Sequence, residues 1–213
     1  MTLPDGTTAE EYIGWVKTFM PDFHRVACAQ TEEAFCEAAE LAVRHCLQKL
    51  EDRRKLVAKA SEVELSTNLA DLLSQCGVPT TAEPHVNGHV DLVITHFVAG
   101  RFRMLGECKL DRGPKHHCDG TTQLLGYCSG AEKRALSISF CQKPSVASRM
   151  KDTQKHFDTS GSCHDVQETK DHHLPWSFLG VHRHSSGETV EVVHIACNLY
   201  VASGANGQDG EEP

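Results

Sequence analysis

The chain has 213 residues and a formal net charge of −8, which is long enough for one compact domain with an extension. No run of about 18 apolar residues occurs, which argues against a transmembrane helix, and the polar, acidic start is unlike a secretory signal peptide. We therefore expect a cytoplasmic protein without a membrane partner.

Ten cysteines are scattered through the chain, and no CxxC pair occurs among them. Disulfide frameworks belong mainly to small secreted domains. Because most of these cysteines lie inside apolar runs, the sequence favours reduced cysteines that serve as small core residues.

Charge is distributed unevenly along the chain. Residues 101–155 carry 11 basic and 5 acidic residues, a net of +6, whereas residues 61–100 carry 5 acidic residues and no basic ones. A basic surface is what a nucleic-acid backbone requires. A solvated surface without a partner is the alternative explanation.

The first predicted elements are helices. Residues 8–60 show helical periodicity, with a first helix that starts near Thr8 and is interrupted at Pro21. A further helix is predicted over residues 61–75 and ends before Gly77. Residues 1–60 are therefore expected to form a helical N-terminal region.

Apolar residues then recur at every second position, which is typical of strands. The runs 89–97 and 101–110 flank a short turn near Ala99 and predict an antiparallel hairpin. The remaining predicted elements are a helix at 119–129, a strand at 135–141, a helix at 145–157, a second hairpin over 176–201 and a disordered acidic tail at 203–213. This order predicts an α/β fold with a mixed central sheet flanked by helices.

The first hairpin places three chemically active side chains together. With the turn near Ala99, residues face each other when their numbers sum to about 198, so Asp91 lies opposite Glu107. Lys109 shares their face because side chains alternate along a strand. The opposite face is expected to be apolar and to carry Val90, Leu92, Ile94, Phe102, Met104, Cys108 and Leu110.

Two facing carboxylates repel each other unless a cation lies between them. Mg²⁺ or Mn²⁺ prefers such oxygen ligands, lowers the pKa of a bound water and stabilises charge on a phosphate. A lysine alongside can orient the water or neutralise developing charge. The group of Asp91, Glu107 and Lys109 therefore predicts a metal-dependent phosphodiester hydrolase, with a surface salt-bridge cluster as the alternative.

Three motifs resemble the PD-(D/E)xK nuclease superfamily, which has the restriction-endonuclease-like fold: GHVD at 88–91, GECK at 106–109 and QLLGY at 123–127. The similarity covers about residues 61–160 and is greatest to bacterial members linked to defence against foreign DNA. The family's usual proline before the first aspartate is absent, since Val90 stands there.

The resemblance implies a nuclease domain over residues 61–202 and a role for each matching residue. Asp91 and Glu107 match the metal ligands, and Lys109 matches the catalytic lysine. Gln123 matches a helix residue that orients this set, with a polar residue on a helix face as the alternative.

The resemblance also implies a third, acidic metal ligand on the helix before the hairpin. Glu64 is the first candidate and Glu62 is the second. Glu64 also fits a helix-capping box, because Ser61 stands three residues before it, so capping and metal binding both stay open for this residue.

A basic turn follows the hairpin. Arg112, Lys115 and His116 are expected to contact the substrate backbone there. Neighbouring histidines and cysteines raise zinc as an alternative, but no paired spacing of the C-x₂-C and H-x₃-H type occurs.

The sequence thus predicts a Mg²⁺- or Mn²⁺-dependent DNA endonuclease, with RNA as an alternative substrate. Self-association, for example as a dimer, is expected, since many nucleases of this fold dimerise. The alternative function is a catalytically inactive nucleic-acid-binding or assembly module with the same fold.

Overall fold

The computed structural model describes residues 6–82, 89–98, 101–160, 163 and 166–202. The expected tail at 203–213 and the turn at Ala99 lie outside the described residues. The helices in these ranges are α1 (Ala9–Phe19), α2 (Pro21–Cys28), α3 (Glu32–Asp52), α4 (Arg54–Val57), α5 (Glu62–Gln75), α6 (Pro114–Tyr127) and α7 (Val146–Ser160). The strands are β1 (Thr80–Ala82), β2 (Leu92–Thr95), β3 (Arg103–Leu110), β4 (Arg134–Cys141), β5 (Val166–Asp171), β6 (Ser177–Arg183) and β7 (Thr189–Asn198).

The helix boundaries follow local capping chemistry. The Thr8 side chain accepts a hydrogen bond from the backbone N–H of Glu11 and starts α1. The fixed φ of Pro21 suits the first turn of α2, so the predicted break there is confirmed. Gly77 has a φ of 80°, a conformation that favours glycine and ends α5. None of the helices in the described ranges is long and apolar enough to cross a lipid bilayer.

The strands form one mixed sheet in the order β1-β2-β3-β4-β7-β6-β5. The pairs β3–β4 and β4–β7 are parallel, and the other neighbours are antiparallel. The predicted α/β fold with a mixed sheet flanked by helices is confirmed at this level. The edge strands β1 and β5 were not predicted, because one has only three residues and the other is largely polar and exposed.

The first hairpin has the predicted register. Leu92 pairs with Gly106 and Thr95 pairs with Arg103, which is the pairing expected from a turn near Ala99. A shift of one residue would have moved every side chain to the opposite face.

The sheet separates two layers of helices. On one face, Leu92, Met104 and Cys108 pack into a core that includes α3 and α5. On the other face, Leu105 packs against α6. Val90 was expected on the first face but lies with Leu105 on the second, because the chain bends at the residue before β2 and the alternation is broken there.

Cys118 and Cys163 form a disulfide, with their Cα atoms 5.5 Å apart across 45 residues of chain. The expectation of ten reduced cysteines is therefore wrong for this pair, and the other eight are free. The two sulfurs meet because α6 packs beside α7, a proximity that sequence spacing does not show.

Candidate active site

The candidate site lies at the carboxyl end of β3, where the start of α5 and the middle of α6 approach the strand. Glu107 is 1% exposed, and the side chain of Lys109 is 16% exposed. The Lys109 ammonium lies 2.6 Å from Oε1 of Glu107 and 3.2 Å from Oε1 of Glu62. One amine thus connects two carboxylates from different elements.

Asp91 joins this group from the position directly before β2. Its Oδ2 accepts a hydrogen bond of 2.7 Å from the backbone N–H of Cys108. Its charge acts on both Glu107 and Lys109. The structure therefore brings Asp91, Glu107 and Lys109 together at one end of the sheet.

Glu107 is a buried carboxylate whose charge is incompletely compensated. Burial raises its pKa to about 7, with a further contribution from the charge of Asp91, and Lys109 opposes the rise. Its Oε2 is buried and has no hydrogen-bond partner among the described residues. An ionised oxygen in such a place is costly unless a proton or a cation compensates it.

Lys109 keeps its proton at neutral pH. Burial by itself would lower the pKa of this amine, but the neighbouring Glu107 and Glu62 raise it overall. The side chain is therefore a charged hydrogen-bond donor.

The carboxylate that α5 contributes comes from Glu62, the second candidate. Its Oε2 accepts a 2.8 Å hydrogen bond from the backbone N–H of Leu110. The structure does not bring Glu64 to the site, because its carboxylate accepts hydrogen bonds from the backbone N–H and hydroxyl of Ser61 at 2.7 and 2.8 Å. Glu64 completes the capping box of α5, and in a helix two residues two positions apart point in different directions.

A cavity of about 290 Å³ opens beside this group. It is lined by Glu62, Lys109, Arg112, His116, Asp119, Gly120 and Gln123. Four residues that the sequence offered as site residues therefore share one cavity with Lys109, namely Glu62, Arg112, His116 and Gln123. Lys115 is exposed on the first turn of α6 and does not line the cavity. A larger cavity, of about 510 Å³, lies between α2 and α3, and Glu37 is the one carboxylate among its described lining residues.

Gln123 is oriented by its neighbour on the next helical turn. Its side-chain amide donates a hydrogen bond of 2.7 Å to the phenol oxygen of Tyr127. Tyr127 in turn packs against the core between α6 and the sheet. The position of the Gln123 amide is thus tied to the core.

Asp119 and Gly120 line the cavity but were not singled out from the sequence. A helix was predicted to start only at Asp119, whereas α6 starts at Pro114 and includes His116. With the correct start, the spacing of His116, Asp119, Gly120 and Gln123 corresponds to one helix face. That periodicity was the signal that could have found them.

The acidic side chains of the site carry the type of donor atom that a hard divalent cation prefers. Asp91, Glu107 and Glu62 supply carboxylate oxygens, the ligands that Mg²⁺ and Mn²⁺ prefer, and one buried oxygen of Glu107 has no described hydrogen-bond partner. Within the described ranges, no group of three histidine, cysteine or acidic side chains is already arranged to hold a metal ion. The positive charge between Glu107 and Glu62 comes instead from Lys109.

A second polar cluster is buried on the same side of the sheet, beneath α6. Nε2 of His117 lies 2.8 Å from Nδ1 of His194, and Nδ1 of His117 lies 2.7 Å from the Ser139 hydroxyl. Burial lowers the pKa of His117 to about 4 and also lowers that of His194. These imidazoles are therefore neutral at physiological pH and bond to each other.

No protein-family model, curated protein or solved structure matches the chain.

Proposed function

We propose that the chain is a metal-dependent nuclease that hydrolyses phosphodiester bonds, with DNA as its substrate. The observation that carries the proposal is the position of Lys109 between Glu107 and Glu62, with Asp91 beside them and a cavity in front whose lining includes both Arg112 and Asp119. A restriction-endonuclease-like fold of the PD-(D/E)xK type is the finer fold assignment that accompanies it.

Each residue of the site would have a separate role in this reaction. Asp91 and Glu107 would hold the Mg²⁺ or Mn²⁺ ion, with Glu62 beside them. Once bound, the ion would polarise the phosphate and make a water more acidic.

Lys109 carries its proton and donates hydrogen bonds to the attacking water or to a phosphate oxygen. Arg112 and His116 bind the phosphate from the cavity wall, and Gln123 holds the assembly in orientation. The cavity-lining cations belong to the basic segment at 101–155, which carries a net charge of +6. Arg103, Lys109, Arg134 and Arg149 of this segment form ion pairs with carboxylates. Attraction of a nucleic-acid backbone would therefore depend on the other basic residues of the segment.

A cleavage assay tests the proposal directly. Supercoiled plasmid, linear duplex DNA, single-stranded DNA and RNA are incubated with Mg²⁺, Mn²⁺ or a chelator. We expect cleavage that requires a divalent cation and falls at least about 100-fold in Lys109→Ala. Lys17→Ala, which changes an exposed lysine on α1, is the control and should cleave normally. Cleavage that is equal in Lys109→Ala would overturn the proposal.

A non-catalytic binding module is the second candidate. It is favoured by the lack of a ready three-ligand metal group among the described residues and by the engagement of Lys109 with two carboxylates. Tight DNA binding that persists in a chelator, with no cleavage under either metal, would select this reading.

The cellular setting and the assembly state belong to the same proposal. The motif resemblance suggests defence of a bacterial cell against foreign DNA, and a phage challenge of cells that express wild type or Lys109→Ala tests this. Cleavage of both strands of duplex DNA would need two sites, which a homodimer would supply, and sedimentation analysis tests this.

A further inference from the structure

Gly120 lies on the turn of α6 that crosses the Lys109 side chain. A Cβ atom built on Gly120 would lie 2.9 Å from Cγ of Lys109 and 3.3 Å from its Cε. Real Cβ atoms essentially never show contacts under 3.0 Å. The helix can therefore approach this lysine so closely only because residue 120 has no side chain.

The Lys109 side chain has little freedom to yield. Its Cγ is near the backbone of β3, which pairs with β4 through Ser139. Its far end is held between Glu107 and Glu62. A methyl group on α6 would therefore be accommodated only by moving the helix or by rotating the lysine, and a rotation would displace the ammonium.

We propose that Gly120 is a positioning residue that fixes the ammonium of Lys109 by letting α6 lie directly on its aliphatic stem. The catalytic consequence rests on the proposed nuclease function, whereas the contact itself does not. A glycine inside a helix is unfavourable by itself, so close packing is the physical reason to have one here.

The same helix offers a matched control. Gly126 is exposed, and a Cβ atom built on it would have nothing within 4 Å. Alanine there should therefore raise stability through its better helix propensity. Any effect that Gly120→Ala has and Gly126→Ala lacks comes from the contact with Lys109 rather than from losing a glycine.

A double-mutant cycle on stability tests the contact without reference to catalysis. Urea midpoints are measured for Gly120→Ala, Lys109→Ala and the double variant. We expect Gly120→Ala to lower the midpoint in the wild-type background but not in Lys109→Ala, which lacks Cγ, Cδ and Cε. If Gly120→Ala does not fold, folding of the double variant supports the proposal. Equal destabilisation in both backgrounds, or a double variant that also fails to fold, overturns it.

Kinetics and a spectroscopic signal test the consequence for the amine. We expect kcat of Gly120→Ala to fall at least about tenfold with little change in KM. The side-chain ¹⁵N resonance of Lys109, assigned by its loss in Lys109→Met, should shift in Gly120→Ala and not in Gly126→Ala. An unchanged resonance overturns the positioning role. If wild type cleaves nothing, the nuclease proposal fails, and the cycle and the resonance still decide the role of Gly120.

Discussion

The Lys109 ammonium lies 2.6 Å from Oε1 of Glu107, while Oε2 of the same carboxylate is buried without a hydrogen-bond partner among the described residues. The Lys109 ammonium therefore compensates part of the charge of this carboxylate. Burial and the charge of Asp91 both destabilise the ionised form of Glu107. The pKa of Glu107 near 7 records this imbalance. The end of β3 is thus a place where a proton or a divalent cation would stabilise the fold.

Glu107→Gln is expected to stabilise the protein at pH 8 when no divalent cation is present. The pKa of Glu107 rises from 4.5 to about 7 on folding. The contribution of this carboxyl to the free energy of unfolding is therefore fully present below pH 4.5 and is lost as the pH rises through 7. The variant should therefore gain about 3 kcal/mol in free energy of unfolding at pH 8. Urea titrations at pH 4.5 and pH 8 measure the difference.

The same experiment has an internal control. At pH 4.5 the gain should nearly vanish, because Glu107 is then protonated in the folded state and half protonated in the unfolded state. Saturating Mg²⁺ or Mn²⁺ at pH 8 should raise the stability of wild type more than that of Glu107→Gln. A gain that is independent of pH would show that the carboxylate is not the source of the effect.

Variants of Glu62 and Glu64 are expected to distinguish a role in cleavage from a role in helix capping. Glu62→Gln should reduce cleavage at least about tenfold. The variant removes the negative charge that holds the Lys109 ammonium and that would lie beside the metal ion. Glu64→Gln should leave cleavage unchanged and slightly lower the melting temperature, since it alters the capping box with Ser61. Comparable loss of cleavage in both variants would contradict the assignment of Glu62 to the site.

The fold was predictable where residue patterns are local. The hairpin register followed from alternation along two strands and a short turn, and the pairing of Leu92 with Gly106 agrees with it. The three residues of β1 and the polar β5 carry too little periodicity to be identified as strands. The disulfide of Cys118 with Cys163 depends on helix packing across 45 residues, which no local pattern records.

The site was predictable in its residue types but not in its finer contacts. The spacing on β3 identified Glu107 and Lys109, yet it could not choose between Glu62 and Glu64. That choice depends on which side of α5 faces β3 at its first turn. Helical periodicity could have placed Gly120 on the cavity face but could not have shown its importance, which is the absence of a side chain where Lys109 passes.

Arg112 and Lys115 are expected to contribute to DNA binding through their positive charges. Arg112→Ala should weaken DNA binding and reduce the slope of log affinity against log salt concentration by about one. Lys115→Ala should have a smaller effect, because Lys115 lies outside the cavity. Binding titrations at several salt concentrations measure the slopes, with Lys17→Ala as the control. A slope that is unchanged in Arg112→Ala would remove this residue from the phosphate contacts.

Reduction of the Cys118–Cys163 disulfide is expected to lower stability. The bond closes a loop of 45 residues. Closing a loop of this size lowers the entropy of the unfolded chain and thereby stabilises the folded protein by about 4 kcal/mol at most. Urea midpoints with and without dithiothreitol should differ accordingly. The double variant Cys118→Ser with Cys163→Ser is the control and should not respond to dithiothreitol. A wild-type midpoint that does not move would show that the bond contributes nothing to stability.

The buried imidazoles are expected to make the protein sensitive to acid. Burial lowers the pKa of His117 from 6.5 to about 4, so its contribution to stability is present above pH 6.5 and is lost as the pH falls to about 4. His117 alone should lower the free energy of unfolding by about 3 kcal/mol over that interval. His194, whose pKa is also lowered by burial, adds to this loss of stability. Glu107 titrates in the opposite direction over nearly the same range and hides part of the effect. Free energies of unfolding should therefore fall more steeply between pH 6.5 and 4 in Glu107→Gln than in wild type. If the two profiles run parallel, the titration assigned to Glu107 is wrong. If the profile of Glu107→Gln stays level between pH 6.5 and 4, the titration assigned to the imidazoles is wrong.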